Sequence, residues 1–333
     1  MPGKTLILTS RQIKKLLDMR QVLAIAEKVF AYHAQKKTQM PAKIYLHLKK
    51  YCGDFRAMPA YIEPLGACGI KWVNVHPANK KKALPTVMAL IILNDPATGC
   101  PLAVMDGTYI TNMRTGAAGG LAAKYLANRD SSKVGLVGCG VQALFQLMAL
   151  NELFKIKSIS VYDKDPLRAI SFIKKIRHLK VNIEKCRNIK DCVSDKDIVV
   201  TTTPSRRPIV MAGWISPGTH INAIGADARG KEELEAGILK KAKIVVDDKV
   251  QALRSGEINV PIAKRLIRPS DIHATIGEII IGKKKGRVSK GEITVFDSTG
   301  LAIQDIAVAD HVYRKFMSSR PARVRIIDFG WKR

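Results

Sequence analysis

Residues 133–154 read KVGLVGCGVQALFQLMALNELF, and this segment decides the fold. An apolar run leads into a turn at Gly138 and Gly140 and then into a helical pattern. The first glycine permits the turn, the second lets the backbone approach a pyrophosphate, and Ala143 allows close packing of helix on strand. An acid that can bind a ribose, Asp163, follows about 20 residues later at the end of the next strand. This combination predicts a dinucleotide-binding fold.

The sequence on the C-terminal side of this turn alternates strands and helices. Such alternation predicts an α/β fold with a doubly wound parallel sheet. Before residue 116 the pattern changes to short strands with a hairpin signal, NDPATG at 94–99. ARVRIIDFG at 322–330 reads as a last strand that could rejoin this first part. The strands predicted in the alternating part are SISVYDKD (158–165), DIVVTTTP (197–204), THINAIGAD (219–227) and KIVVDD (243–248).

The composition limits the classes of protein to consider. With 333 residues, 47% of them hydrophobic, the chain can bury the cores of two domains. It has neither an apolar run near the ~20 residues of a membrane span nor a secretory signal, so we expect a cytoplasmic protein. The six cysteines lack zinc or CxxC spacing, which predicts free thiols and no metal site. The net charge of +28 is spread along the chain without interleaved aromatic residues. It favours a diffuse basic surface over nucleic-acid binding, which stays open as an alternative.

Several segments resemble, in order along the chain, the family of ornithine cyclodeaminase, mu-crystallin and archaeal alanine dehydrogenase. The resemblance extends from about residue 40 to residue 310 and therefore covers nearly the whole chain. The matching segments are KWVNVHP (71–77), LPTVMALIILND (84–95), PLAVMDGTYITNMRTGAAGGLAAKYLA (101–127), VGCGVQA (137–143), VTTTPSRRPIV (200–210), GTHINAIGAD (218–227), HATIGEI (273–279) and FDSTGLAIQDIAVA (296–309).

The resemblance implies an NAD-dependent homodimer that acts on an amino or imino acid by hydride transfer at Cα. It also implies that residues 1–115 and 310–333 form an α+β substrate-binding and dimerisation domain. Residues 116–309 would form the inserted NAD-binding Rossmann domain. This division agrees with the change of pattern near residue 116.

The resemblance also implies roles for individual residues. Lys71 and Asp227 would be catalytic, and the substrate would be bound by Lys43, Arg56, Lys71, Arg114 and Thr299. The cofactor would be bound by Thr86, Arg114, Thr115, Gly138, Gly140, Val141, Gln142, Asp163, Lys164, Thr202, Thr203, Asn222, Ala223, Ile224, Gly225, Lys231 and Ser298.

The chemistry of three candidates supports these roles. Arg114, read as lying just before a small-residue helix, offers a bidentate fork for a carboxylate. Asp227, read as ending a strand, could be an acid/base group or could cap a helix at KEELEAGILKK. Lys71 lies in an apolar strand, where it either extends to water or meets a negative partner, for which we expect the substrate. Burial and Arg114 should then both lower the pKa of Lys71.

Three further residues have more ordinary readings. His76 and His220 are expected to be hydrogen-bonded structural histidines, although either could be a general base. Cys139 lies inside the glycine turn and should fill space without acting as a nucleophile. Asp163 should repel a 2′-phosphate and so favour NAD over NADP.

One residue that departs from the family pattern, Arg56, favours one branch of the family. Cyclodeaminases resemble GDFRAMPAY at 53–61 but carry a glutamate where this chain has Arg56. The cationic candidates suit a small amino acid or 2-oxo acid with an apolar side chain. The expected function is therefore reversible oxidative deamination of L-alanine to pyruvate and ammonia with NAD. The alternatives are an ornithine cyclodeaminase, a ketimine reductase, and a mu-crystallin-like protein that binds NAD(P) or a small ligand.

Overall fold

The computed structural model describes residues 4–319 and 325–330. They form two compact units, one made of the described residues up to Arg114 and from Leu301 onward, the other of Thr115–Gly300. Residues 301–309, which the sequence analysis assigns to the central domain, lie in the first unit. Residues 320–324 and 331–333 of the expected C-terminal segment lie outside the described residues.

The helices and strands follow in chain order. The N-terminal part contains β1 (Lys4–Leu8), α1 (Ser10–Leu16), α2 (Met19–Ala34), β2 (Thr38–Gln39), β3 (Ile44–Leu48), β4 (Gly53–Ile62), β5 (Ala67–Val75), β6 (Val87–Asn94), β7 (Pro101–Asp106) and α3 (Gly107–Leu126). The central part contains β8 (Lys133–Val137), α4 (Val141–Leu153), β9 (Ser158–Tyr162), α5 (Pro166–Ile176), β10 (Asn182–Lys185), α6 (Ile189–Val193), β11 (Ile198–Thr201), β12 (Arg206–Val210), β13 (His220–Ala223), β14 (Glu232–Leu234), α7 (Ala236–Lys241), β15 (Lys243–Val246), α8 (Lys249–Ser255), α9 (Asn259–Ala263), β16 (Ile272–Thr275), α10 (Ile276–Ile280) and β17 (Thr294–Asp297). The C-terminal part contains α11 (Ala302–Ser318) and β18 (Ile326–Asp328).

The strands of the first unit form one mixed sheet in the order β18-β1-β7-β6-β5-β4-β2, and β3 pairs with β4. The NDPATG turn joins antiparallel β6 and β7, as predicted, and is closed by a hydrogen bond from Asp95 N–H to Cys100 O. The predicted last strand is also confirmed, because β18 pairs antiparallel with β1. Both ends of the described chain therefore belong to this sheet.

One face of this sheet packs against α11, which contacts β4, β5 and β6. The buried positions alternate along the strands, and Met58, Lys71 and Ile91 lie opposite one another on three of them. A Cβ at Gly69 would lie 2.3 Å from Ile92 O on β6 and 3.2 Å from Ile306 Cδ1, so a side chain here would collide with the neighbouring strand and crowd α11. The apolar pattern around Lys71 is thus explained by a covered sheet face.

The second unit confirms the doubly wound α/β fold. Its main sheet is parallel throughout, in the order β10-β9-β8-β11-β13-β17-β15-β16. The strand order reverses between β8 and β11, and such switch points are where this fold binds ligands. Gly138 directly follows β8 and therefore lies at the switch point.

Two helix predictions were wrong. Helix α3 begins at Gly107, so Arg114 lies inside the helix and not before it. The Asp106 carboxylate accepts hydrogen bonds from the N–H groups of Thr108 and Tyr109, which starts the helix early. The segment KEELEAGILKK is not a single helix, because its first part is β14 and only Ala236–Lys241 is helical.

In the part of the chain that the structure describes, no helix has both the length and the apolar character needed to span a membrane.

Candidate functional site

A buried ionic cluster lies at the centre of the first unit. Lys71 on β5 donates a hydrogen bond from Nζ to Asp305 Oδ2 at 2.6 Å, and Arg114 on α3 donates from Nε to Asp305 Oδ1 at 2.9 Å. The hydroxyl of Thr111, one turn before Arg114, lies 3.4 Å from Lys71 Nζ. Lys71 is 1% exposed and Asp305 is fully buried. The negative partner of Lys71 in the structure is therefore a carboxylate of the chain itself.

The pKa of Lys71 in this cluster is unusual for a lysine. Burial and, to a smaller extent, the Arg114 charge lower the pKa of Lys71 to about 7, against the opposing effect of Asp305. Burial alone would raise the pKa of Asp305, but Arg114 and Lys71 hold it below its ordinary value. The predicted drop in the Lys71 pKa is confirmed. A lysine that titrates near neutrality can gain or lose a proton during a reaction.

Asp305 was not among the site residues predicted from the sequence. It lies in the first turn of α11, and 234 residues separate it from Lys71 along the chain. The available signal was an acid within the apolar segment LAIQDIAVA, because an acid on a buried helix face needs a cationic partner.

The other candidates of the first unit occupy different positions. Arg56 is buried on β4, on the same sheet face as Lys71, and its Nε donates to Asp54 Oδ1 at 2.8 Å. Lys43 is half-buried and lowers the pKa of Lys71 electrostatically, as the smallest of the contributions. Thr86 precedes β6, and its carbonyl accepts a hydrogen bond from His76 N–H. Lys43 thus adds positive charge to the surroundings of the ionic cluster, whereas the charge of Arg56 is paired with that of Asp54.

The glycine turn of the second unit has the geometry that a dinucleotide needs. Gly138 has a φ of +93°, and a Cβ there would lie 2.9 Å from Thr203 Cγ2. A Cβ at Gly140 would meet no atom within 4 Å, so this glycine leaves open space in front of α4. Gly140 is also the N-cap of α4 and has no side chain to satisfy the first N–H groups of the helix. Open space before uncapped N–H groups fits a pyrophosphate.

Asp163 lies where the ribose-binding acid is expected. It directly follows β9, and its Oδ2 accepts a hydrogen bond from Cys139 N–H at 2.8 Å. Its Oδ1 accepts from Asp165 N–H at 2.9 Å. These two bonds hold the half-buried carboxylate beside the turn and leave lone pairs for hydroxyl groups. Burial and, to a smaller extent, the Asp163 charge raise the pKa of Cys139 to about 12, so this thiol stays protonated.

The loops after β11 and β13 carry the next group of candidates. Thr202 donates from its hydroxyl to Gly138 O at 2.9 Å, which ties the β11 loop to the glycine turn. Thr203 and Gly225 both donate their backbone N–H groups to the Glu233 carboxylate, at 2.6 and 2.9 Å. Val141 and Lys164 are exposed, Ala223 and Ile224 are buried, and Gln142 is half-buried on the first turn of α4.

Asp227 does not end a strand, contrary to the sequence interpretation. Strand β13 ends at Ala223, and Asp227 lies in the loop before β14. Its Oδ1 accepts a hydrogen bond from Lys231 Nζ at 2.5 Å. The two side chains are 33% and 15% exposed, so both reach solvent. The partly exposed pair leaves Asp227 accessible for proton transfer.

His220 belongs to a buried chain of hydrogen bonds. Its ring nitrogens bond Thr294 Oγ1 and Asn222 Oδ1, and the Asn222 amide donates to Gly119 O at 3.0 Å. Gln146 continues the chain by donating to Thr115 O. Burial lowers the pKa of His220 to about 3, so the ring is neutral and structural, as expected.

The last candidates follow β17. Ser298 is 3% exposed, and its hydroxyl has no hydrogen-bond partner among the described residues. Thr299 donates from its hydroxyl to Asp247 Oδ1 at 2.9 Å and from its N–H to Oδ2 at 2.7 Å. A buried hydroxyl without a partner, as in Ser298, is a group that a ligand can satisfy.

Comparison with known proteins decides the family. The model of the ornithine cyclodeaminase/mu-crystallin family matches residues 3–320. The chain belongs to this family. The resemblance inferred from the sequence segments is therefore confirmed.

The relatives in this family include enzymes with different substrates. The chain is 53% identical to an alanine dehydrogenase of Archaeoglobus fulgidus, over 95% of this chain and 96% of the relative. A solved archaeal alanine dehydrogenase dimer with bound NAD is 52% identical, with a TM-score of 0.93 over 98% of this chain and 99% of that one. A Thermococcus litoralis Δ1-pyrroline-2-carboxylate reductase, solved with NADH and L-proline, is 40% identical, with a TM-score of 0.93 over 95% and 98% of the two chains. The similarity supports amino-acid oxidoreduction without selecting alanine.

Proposed function

We propose that this chain is an NAD-dependent dehydrogenase that oxidises L-alanine reversibly to pyruvate and ammonia. The observation that carries the proposal is the buried cluster of Lys71, Arg114 and Asp305. Two cations share one carboxylate there, so the cluster can accept a second negative group, the carboxylate of an amino or 2-oxo acid. Lys43 adds to this preference for an anion.

Lys71 and Asp227 are the proposed proton-transfer groups. With a pKa of about 7, Lys71 can donate a proton to a substrate carbonyl when protonated and accept one when neutral. Asp227 would take a proton from the substrate ammonium and later assist the attack of water on the imine. Its partner Lys231 holds the carboxylate in one orientation.

The second unit would hold the cofactor. Bound NAD supplies the hydride acceptor for oxidation at Cα. The uncapped start of α4 at Gly140 would bind the pyrophosphate, and Asp163 would accept hydrogen bonds from the adenosine ribose. A 2′-phosphate would lie beside the Asp163 carboxylate, so we expect NAD to be preferred over NADP.

The assembly we propose is a homodimer formed through the first unit. On the sheet face opposite Lys71, Trp72 and Leu90 lie directly across from each other on β5 and β6 and are 42% and 54% exposed. Ile92, next on β6, is 38% exposed, and Ile44 and Leu46 on β3 are more exposed still. A contiguous apolar face of this kind marks a protein contact. The solved archaeal alanine dehydrogenase noted above is a dimer, which supports dimerisation.

A reductase of cyclic imino acids is the second candidate. The similarity to the Thermococcus litoralis reductase favours it, and the same cationic cluster could bind the carboxylate of Δ1-pyrroline-2-carboxylate. Ornithine cyclisation is disfavoured, because Arg56 stands where cyclodeaminases carry a glutamate. A mu-crystallin-like binding protein would bind the cofactor without turnover.

A substrate panel tests the proposal. Purified protein is mixed with NADH or NADPH, ammonia and one 2-oxo acid, and separately with Δ1-pyrroline-2-carboxylate without ammonia, while absorbance is followed at the NADH band. We expect the highest kcat/KM with pyruvate, ammonia and NADH. A higher kcat/KM with the cyclic imino acid would replace the proposal with the reductase, and binding without any turnover would reduce it to the binding protein.

A further inference from the structure

A buried carboxylate in the second unit holds together the two loops that carry candidate cofactor residues. Glu233 on β14 is fully buried, and its Oε1 accepts the N–H of Thr203 at 2.6 Å. Its Oε2 accepts the hydroxyl of Thr201 at 2.7 Å and the N–H of Gly225 at 2.9 Å. The donors come from the end of β11, from the loop that follows it and from the loop after β13. One side chain therefore fixes the distance between these loops.

The site of Glu233 requires a group that only accepts hydrogen bonds. Three donors converge on its two oxygens, so an amide in the same place would turn an NH₂ group toward at least one donor. A Cβ at Gly225 would lie 2.6 Å from Glu233 Oε2 and 2.1 Å from Thr203 O, which shows how closely the carboxylate and both loops are packed. A small displacement of the carboxylate would therefore move the loops.

A second carboxylate holds Glu233 in place. Glu257 Oε1 accepts the N–H groups of Glu233 and Leu234 at 2.8 and 2.7 Å and thereby fixes the backbone of β14. The Glu257 N–H in turn donates to Asp297 Oδ1 at 2.9 Å. Burial raises the pKa of Glu257 well above its ordinary value, and Glu233 raises it further. Burial also raises the pKa of Glu233, but its hydrogen bonds from Thr203, Thr201 and Gly225 oppose that shift.

The strand order tells which part of a dinucleotide these loops would meet. The glycine turn after β8 and Asp163 after β9 lie on one side of the switch point, where the pyrophosphate and the adenosine ribose would bind. The loops after β11 and β13 lie on the other side of the switch point. A dinucleotide bound across a switch point places its two mononucleotide halves on opposite sides. Thr203 and Gly225 would therefore meet the nicotinamide half.

We propose that Glu233 is a positioning residue for the nicotinamide half of the bound cofactor. It acts through the backbones of Thr203 and Gly225 and does not touch the cofactor itself. The inference rests on the proposed function, because it assumes that this unit binds NAD. If Glu233 were purely structural, its loss would weaken the binding of both halves of the cofactor alike. If it positions the nicotinamide half, its loss should weaken nicotinamide binding and leave adenosine binding nearly unchanged.

The test compares ligands that share the adenosine half. NADH, ADP-ribose and ADP are titrated by calorimetry into wild-type protein and into Glu233→Gln, and kcat and KM for NADH are measured in parallel. We expect Glu233→Gln to weaken NADH binding about tenfold, equivalent to about 1.4 kcal/mol, and to leave ADP binding within about twofold. The matched control is Glu232→Gln on the same strand, whose carboxylate pairs with the half-exposed Lys264. This control should bind all three ligands like the wild type.

A second variant, Thr201→Val, keeps the inference testable if Glu233→Gln does not fold. This substitution removes one hydrogen-bond donor to Glu233 at constant shape, so it should weaken NADH binding by a smaller factor. Equal loss of NADH and ADP affinity, or unchanged NADH affinity, in the variant that folds would overturn the inference. Wild-type protein that binds ADP but not NADH would instead contradict the proposed cofactor.

Discussion

At the scale of single residues, the sequence identified the unusual lysine but not its partner. An apolar, alternating strand was enough to predict that Lys71 is buried, and the effect of a second cation on its pKa followed from Arg114. Asp305 could not be predicted from local pattern, because α11 and β5 are distant in the chain and meet only in the folded unit. The partner of a buried charge is a property of the tertiary structure.

This pairing predicts that Asp305→Asn is strongly destabilising. The substitution leaves the Arg114 cation buried without its carboxylate partner and removes the acceptor of Lys71, and removal of one partner of a buried pair costs roughly 3 to 5 kcal/mol. Urea unfolding followed by circular dichroism measures the change in the free energy of unfolding.

The control for this prediction lies on the same helix. Asp310 is itself buried but pairs with Arg314, which is 63% exposed and remains solvated without its partner, so Asp310→Asn should cost clearly less than Asp305→Asn. Equal effects of the two substitutions would mean that the buried cluster contributes no more than an ion pair with an exposed cation.

At the scale of elements, prediction succeeded where the signal is local. The glycine turn between β8 and α4 and the NDPATG hairpin are specified by a few adjacent residues, and both were predicted. The start of α3 was missed because Thr108, Tyr109 and Ile110 suggest a strand, while the deciding contact is the cap from Asp106. Asp227 was placed on a strand because the apolar run INAI continues without a break signal until Gly225.

The glycine turn gives a matched pair of predictions. Gly140→Ala should fold like the wild type, since Gly140 has a φ of −79° and open space around it, yet bind NADH about tenfold more weakly because the methyl group occupies the pyrophosphate position. Gly138→Ala should instead lose about 1 to 3 kcal/mol of stability, because its φ is +93°. Urea unfolding and calorimetric titration with NADH separate the two effects. If Gly140→Ala bound NADH with wild-type affinity, the glycine turn would not be part of the cofactor site.

At the scale of the whole molecule, composition and surface lead to different expectations. The proposed function does not require the net charge of +28, so we expect this charge to affect mainly the solubility of the protein. The apolar outer face of the first unit is more specific, because Trp72 and Leu90 lie side by side and exposed there.

This face predicts that Leu90→Lys converts the protein into a monomer. The side chain is 54% exposed in the isolated chain, so the substitution should disturb the interface without disturbing the fold. Light scattering at micromolar concentration measures the mass. The matched control is Val250→Lys on α8, which is also 54% exposed but lies in the other unit. A monomeric wild type, or a Leu90→Lys variant that stays dimeric, would contradict the proposed interface.

The central claim is that the buried Lys71 serves a reaction on a 2-oxo or amino acid, and Lys71→Met tests it most directly. Methionine keeps an apolar side chain of similar length and leaves Arg114 paired with Asp305, so the fold should persist. We expect NADH binding within about twofold of wild type and a fall of at least about two orders of magnitude in the kcat of pyruvate reduction with ammonia, the range for loss of a proton-transfer group. A Lys71→Met protein that reduces pyruvate at the wild-type rate, or one that no longer folds, would show that this lysine belongs to the scaffold and would contradict the account.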